Sequence, residues 1–142
     1  MRVLHVFDHS IPLHSGYTFR SFQILSEQRK LGIETLHVTG IKHTAPYEEK
    51  ETVDGFEFYR TPLSGGVLNK LPILNQWNVV RTLAKKIEQI VKTEKVDIIH
   101  AHWIFPQGLC VLIARFFSFN KPKIILTSHG GDLYTFNSKL LV

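Results

Sequence analysis

The chain has 142 residues, 44% of them hydrophobic and 20% charged, the composition of one ordinary globular domain with a real core. Seventeen basic against twelve acidic residues leave a formal charge of +5, which points to an anionic partner without choosing among nucleotide, nucleic acid and acidic lipid. The single cysteine, Cys110, excludes an internal disulfide, Met1–Phe7 is too short an apolar stretch for a signal peptide, and Leu109–Phe119, broken by Arg115, falls short of the ~20 residues of a membrane span, so a cytoplasmic protein is expected.

Arg2–Asp8 (RVLHVFD) reads as a first buried strand, and a loop with Pro12, Ser15 and Gly16 follows it. Thr18–Leu31 has helical character, with Phe22, Ile24 and Leu25 inward, and Gly32 stands where a helix end wants a left-handed residue. Ile33–Thr39 is a second strand. Asp54-Gly55 separates two short β-like runs, Glu51–Val53 and Phe56–Arg60, as a tight hairpin does. Leu63–Asn78, with Gly65, Gly66 and Pro72, reads as irregular. Val79–Glu94 is an amphipathic helix on which Val79, Leu83, Ile87, Ile90 and Val91 share a face, with Lys85, Lys86 and Gln89 elsewhere. Val96–Ala101 is the next strand, Pro106–Phe117 a helix entered at proline, and Lys123–Ser128 the last clear strand. Strands alternating with helices imply an α/β domain, a Rossmann-like parallel sheet with helices on both faces, spanning residues 1–142. Such a sheet commonly continues, so the chain is expected to be truncated.

Charge is uneven. Between Leu68 and Lys95 there are six basic residues against two acidic ones, close to the apolar cluster Leu71, Ile73, Leu74 and Trp77. One reading is a solvated helix face; the other is a surface that meets anionic membrane lipid.

Three segments carry candidate chemistry. His9–Tyr17 (HSIPLHSGY) puts Gly16 between strand and helix, where a helix N-terminus favours anionic groups, although a single glycine is a weak nucleotide fingerprint. His100 and His102 share a strand face. A His-x-His pair becomes a metal site only with a third ligand, which His129 would have to supply, and no metal is expected. His100 reads as a core histidine and His102, nearer the strand end, as the better ligand contact. In Ser128–Asp132 (SHGGD), His129 enters a loop kept open by Gly130 and Gly131, where an imidazole can hydrogen-bond a sugar hydroxyl or shuttle a proton, with Asp132 to orient it or to bind a hydroxyl. Nucleophilic catalysis is not supported: there is no GxSxG, and Cys110 falls in a buried helix.

These residues resemble a known family. The opening strand with its loop to Gly16, Phe22–Gly32 (FQILSEQRKLG), VDIIHAHWIFPQG at Val96–Gly108, and Ile124–Tyr134 with its THG-like turn are similar to the N-terminal domain of a family 4, retaining, GT-B glycosyltransferase. Arg2–His43 is especially similar to exosortase-associated polysaccharide glycosyltransferases. The resemblance implies two Rossmann-like domains facing across a cleft, the N-terminal one binding the acceptor. It assigns His129 the role of hydrogen bonding near the reacting centre. It places Ser15, Gly16, Tyr17, His102, Gly130 and Asp132 along the substrate cleft, with Ser15 standing where a second glycine is frequent. It implies a nucleotide-sugar co-substrate and no other cofactor, a saccharide or lipid-linked acceptor, and hexosyl transfer. The donor-diphosphate Lys/Arg pair and the acidic ExxxxxxxE motif belong to the family's second domain, so this chain alone is expected to be inactive. The alternative is a non-catalytic Rossmann-type domain docking on anionic membrane through residues 68–95. Nucleic-acid binding is not expected, because no recognised module is present. The carbohydrate-handling reading requires Gly16 and the two histidine turns to gather on one rim.

Overall fold

The computed structural model describes residues 1–41, 48–62 and 72–132. Gly65, Gly66, Leu68, Lys70, Leu71 and Tyr134 lie outside the described residues, as do the side chains of Ile73 and Leu74. Six strands, β1 (Arg2–Phe7), β2 (Glu34–Thr39), β3 (Lys50–Val53), β4 (Phe56–Arg60), β5 (Ile98–His102) and β6 (Lys123–Thr127), form one sheet in the order β3-β4-β2-β1-β5-β6. All neighbours are parallel except β3 and β4. These two form the expected hairpin, with Asp54 and Gly55 both left-handed at φ 50 and 76, as a two-residue turn of the primed type requires. The sheet is therefore mixed at one edge.

Among the described residues three helices cover it: α1 (Gly16–Lys30), α2 (Pro72–Thr93) and α3 (Leu109–Phe117). Strand alternation divides β1 between the faces. Leu4 and Val6 join Leu83, Ile87, Ile90 and Val91 of α2 and Cys110, Val111 and Ala114 of α3 in the larger core. Phe7 joins Leu25 of α1, Ile11, Phe56 and Phe58 in the smaller. Each fully buried Leu, Ile or Val contributes roughly 1.5–3 kcal/mol, so α2, with these four side chains, is fastened mainly by its apolar face.

Helix α1 begins at Gly16 rather than Thr18, because Ser15 is its N-cap and accepts a hydrogen bond from the Thr18 N–H. Gly32 closes it at φ 75, as read from the sequence. Helix α2 begins at Pro72 and so absorbs residues 72–78, expected to be irregular; a proline is well placed in a first helical turn. The expected helix from Pro106 is instead a wide π-type turn, Ile104–Gly108, leading into α3. Lys86 does not join the solvated face: it is 7% exposed and paired with Glu49. Among the described residues no helix is long and apolar enough to cross a membrane.

Candidate functional site

The carboxyl ends of β1, β5 and β6 adjoin in the sheet, and chemistry in open α/β sheets sits at that edge. There the early loop meets both late histidine turns. The Tyr17 ring lies 5.0 Å from His129 and 6.1 Å from Trp103, while Trp103 and His129 are 5.1 Å apart and His129 and His102 6.1 Å. His9 closes the group, 4.8 Å from Tyr17.

His129 is partly buried and its Nε2 has no hydrogen-bond partner. Burial and the positive charge of Arg20 lower its pKa, against an opposing pull from Asp132. The group is thus a neutral imidazole with one nitrogen uncommitted. Asp132 meets His129 through its backbone N–H rather than its imidazole. Its Oδ2 accepts from the Ile104 N–H (2.9 Å) and its Oδ1 from the Ser128 hydroxyl (2.7 Å). Burial works to raise the Asp132 carboxyl, but these hydrogen bonds outweigh it and hold the pKa below its ordinary value. Asp132 therefore ties the two turns together. Gly130 is left-handed (φ 87), and a Cβ on Gly131 would meet the Trp103 ring at 3.3 Å, so this glycine lets the indole close over the turn.

Trp103 itself was not singled out from the sequence. Its φ is 139, a region that bulky residues avoid, at a cost of about 1–3 kcal/mol. It is held there by the Gly108 N–H donating to its carbonyl (3.1 Å) and by the Ile104–Asp132 bond beside it. Strain of this kind gathers at functional sites.

His102 is fully buried and His100 half-buried, the reverse of expectation. The strand runs one residue further than expected, and the His102 ring lies beneath Phe7, 4.5 Å away. It belongs to a chain that begins on α1. His5 Nε2 donates to Gln28 Oε1 (2.8 Å), and His5 Nδ1 lies 3.0 Å from His102 Nε2. Ligand nitrogens of His5, His100 and His102 lie within 4.8 Å of one another, so the third imidazole beside the His-x-His pair is His5, not His129. The donor set suits a metal, but the His5–His102 nitrogens already share a proton and His100 Nε2 is bonded to Thr127 Oγ1 (2.7 Å). The cluster reads as hydrogen bonding. Burial, reinforced by the neighbouring imidazoles, pushes His5 to about 3 and His102 to about 2.

The early loop is built by side chains that turn inward. Ser15 Oγ lies 2.8 Å from His9 Nε2, besides capping α1, and His9 Nδ1 is 3.0 Å from Asp8 Oδ2. Tyr17 donates to the His102 carbonyl and accepts from the Asp8 N–H, both at 3.3 Å; burial raises its pKa, so the phenol stays protonated. A Cβ on Gly16 would meet nothing within 4 Å, so neither packing nor backbone demands this glycine, and the first turn of α1 stays open. From below, Arg60, which sequence reading passed over, is fully buried and donates to Ser10 Oγ, the Ile11 carbonyl (2.7 Å) and Glu51 (2.7 Å).

The family model described as "Glycosyl transferase 4-like" matches residues 70–141, half of the chain. The chain belongs to the glycosyl transferase 4-like family. N-acetyl-alpha-D-glucosaminyl L-malate synthase of Bacillus anthracis is 30% identical over 71 residues, which cover 46% of this chain and 19% of that protein. Sucrose-phosphate synthase from Thermosynechococcus elongatus has the same fold, with TM-score 0.65 and 12% identity over 96% of this chain and 35% of that one. The chain thus spans well under half the length of these relatives. The Rossmann-like domain implied by the sequence, one half of a GT-B fold, is the one observed, with an antiparallel strand at one edge.

In this glycosyltransferase domain the rim has a second compartment on the α2 side of the sheet. A cavity of about 340 Å³ lies between Asp8, Gly40, the start of α2 and the turn carrying Phe105 and Gln107. Gln107, also missed from sequence, is 2% exposed; its Nε2 donates to Asp8 Oδ1 (3.2 Å) and its Oε1 has no partner. Cys110 borders the cavity, and burial pushes its thiol up to about 12, so it is no nucleophile near neutral pH. The one signal for Gln107 in the sequence was its place just after the His-x-His strand, on the turn that strand end feeds.

Proposed function

We propose that this chain is the acceptor-side domain of a glycosyltransferase that moves a hexosyl group from a nucleotide sugar to a saccharide or lipid-linked acceptor, with retention, in polysaccharide assembly at the cytoplasmic face of the membrane. The observation that carries this reading is the meeting of the Gly16 loop with both histidine turns, Tyr17 against His129 at 5.0 Å. His129, neutral and with Nε2 uncommitted, hydrogen-bonds the transferred sugar. The open first turn of α1 at Gly16 leaves room for donor phosphates at the helix N-terminus. Ser15, Tyr17 and His102 shape the rim from behind, Gly130 keeps the turn open, and Asp132 fixes its geometry. Catalysis on this plan is positioning and electrostatic stabilisation between two domains. A C-terminal domain supplies the grip on the donor, and no metal or further cofactor takes part.

The test is His129→Ala in the enzyme assembled with a donor-binding domain. Turnover is expected to fall ~10²-fold, the scale of a lost electrostatic or acid–base group. Unchanged turnover removes His129 from the mechanism. The chain without that domain is expected to match the blank.

A second reading, a non-catalytic domain docked on anionic membrane, is favoured by one surface. Between α2 and α3 runs a groove of about 590 Å³ flanked by Arg81 and Lys85, with Trp77 56% and Phe117 61% exposed. Aromatic side chains beside basic ones suit an acidic lipid interface. Sedimentation with phosphatidylglycerol vesicles is expected to show binding at low salt that fades as salt rises; absence of binding at low salt eliminates this reading.

A further inference from the structure

We propose that Asp8, His9 and Ser15 form a separate hydrolytic site, with Ser15 as nucleophile towards a carboxylic ester of a small acyl group. All three stand on the loop between β1 and α1. His9 Nδ1 lies 3.0 Å from Asp8 Oδ2, and His9 Nε2 lies 2.8 Å from Ser15 Oγ. A carboxylate only accepts, so Nδ1 carries the hydrogen of the neutral ring and Nε2 presents its lone pair to the serine hydroxyl. Nucleophile, base and orienting carboxylate thus follow one another as in a serine hydrolase, an arrangement that recurs on unrelated folds and is identified by geometry and role. No GxSxG marks it in the sequence, where five residues separate His9 from Ser15.

The surroundings hold this relay. Gln107 Nε2 donates to the other Asp8 oxygen (3.2 Å), the Asp8 N–H donates to Tyr17, and the Tyr17 ring lies 4.8 Å from the His9 ring. Ser15 Oγ accepts from the Thr18 N–H (3.1 Å) and lies 3.0 Å from Thr18 Oγ1, whose own hydrogen goes to the Leu13 carbonyl (2.8 Å). Of the two takers for the Ser15 hydrogen, the imidazole is the closer, and an imidazole nitrogen is a stronger base than a hydroxyl oxygen. Ser15 is half-buried, and the His9 and Asp8 side chains keep 15% and 20% exposure, so a ligand reaches them. The residue after the nucleophile, Gly16, is exposed, opens α1, and would carry a Cβ with nothing within 4 Å. An ester carbonyl approaching over it turns its oxygen to the helix N-terminus, where N–H dipoles favour a developing oxyanion. So open an approach has no wall to grip a long chain, which is why the acyl group is small. In the step, Ser15 Oγ bonds the carbonyl carbon while its proton passes to His9 Nε2. The bond from that carbon to the alcohol oxygen then breaks, and the leaving oxygen takes the proton. Water repeats the sequence on the acyl-serine, releasing the carboxylic acid and restoring the hydroxyl. Asp8 is a positioning residue.

This activity goes beyond sugar transfer and needs neither a nucleotide sugar nor a second domain, so it is tested on the 142-residue chain, and its outcome is independent of the His129→Ala transfer assay. The probes are diisopropyl fluorophosphate, which gives up fluoride as Oγ bonds phosphorus, and p-nitrophenyl acetate. The fluorophosphate is expected to add one phosphoryl group per chain, mapped to Ser15 by peptide mass, and the acetate to be turned over. Ser15→Asn keeps a good N-cap and is expected to lose both the adduct and the turnover. His9→Gln is expected to slow both by at least about 10²-fold, the worth of a general base. Asp8→Asn presents the wrong tautomer and is expected to slow labelling at least about tenfold while full labelling of Ser15 is still reached. No adduct on the parent chain, an adduct on another residue, acetate turnover undiminished in Ser15→Asn, or labelling as fast in folded His9→Gln would each make Ser15 a helix cap only and overturn the proposal. Should His9→Gln not fold, the adduct site on the parent and the Ser15→Asn comparison decide.

Discussion

Arg60 shows how much of this rim is set by one side chain far from it. Its guanidinium is fully buried, lies 4.8 Å from the Phe58 ring centroid and ties Glu51 of β3 to Ser10 and Ile11 of the early loop. Desolvation lowers its pKa, but the Glu51 carboxylate opposes this and the group stays charged. Arg60→Met keeps the length and removes every donor. It is expected to cost about 3 kcal/mol, as for the loss of one partner from a buried ion pair, read as a lower urea midpoint with unchanged slope. A variant within a few tenths of the parent would show that the loop holds its shape without Arg60.

At the scale of elements, what could be read from the sequence was what local chemistry decides. The Asp54-Gly55 turn, the Gly32 helix end and the apolar stripe of α2 are each specified by neighbours in sequence, and each stands where expected. What escaped is decided by partners far along the chain. Lys86 looked like any solvated lysine because Glu49, 37 positions away, leaves no mark on the helical repeat. His5 was read only as part of a strand, and its pairing with His100 exists only once β1 and β5 lie side by side in register. The exposure of His100 and His102 was inverted for a related reason, since strand parity gives a shared face but not which end a neighbouring ring covers. Pro72 falls in a stretch that reads as irregular, yet it stands at a helix start, because a proline that ends a helix and one that opens it look alike in sequence.

Across the whole molecule, a row of imidazoles runs through the sheet on the face that α1 covers. His37, His5 and His100 are register partners on β2, β1 and β5, and His102 stands one step along. Burial pushes His37 to about 4, His5 to about 3 and His102 to about 2, against about 6.5 in an unfolded chain. Because the folded values lie below the unfolded one, the unfolded chain binds more protons throughout this interval. Stability is therefore complete above about pH 6.5 and is lost as pH falls towards the folded values, by about 2 kcal/mol per imidazole at pH 5. Urea midpoints measured from pH 7.5 to 4.5 should fall steeply below pH 6.5, and a flat profile down to pH 5 would refute this account. Acid sensitivity of this kind belongs to the sheet as a unit.

The two outer strands of that sheet are not equivalent. β3 is four residues long and carries Lys50 and Glu51, a blunt margin that invites no newcomer. Among the described residues β6 ends the sheet on the other flank, with Ile125 and Leu126 at 46% and 44% exposure, an apolar selvedge. Strand addition onto this domain is therefore favoured at the β6 flank, on the same side as His129, where new backbone would arrive beside the imidazole.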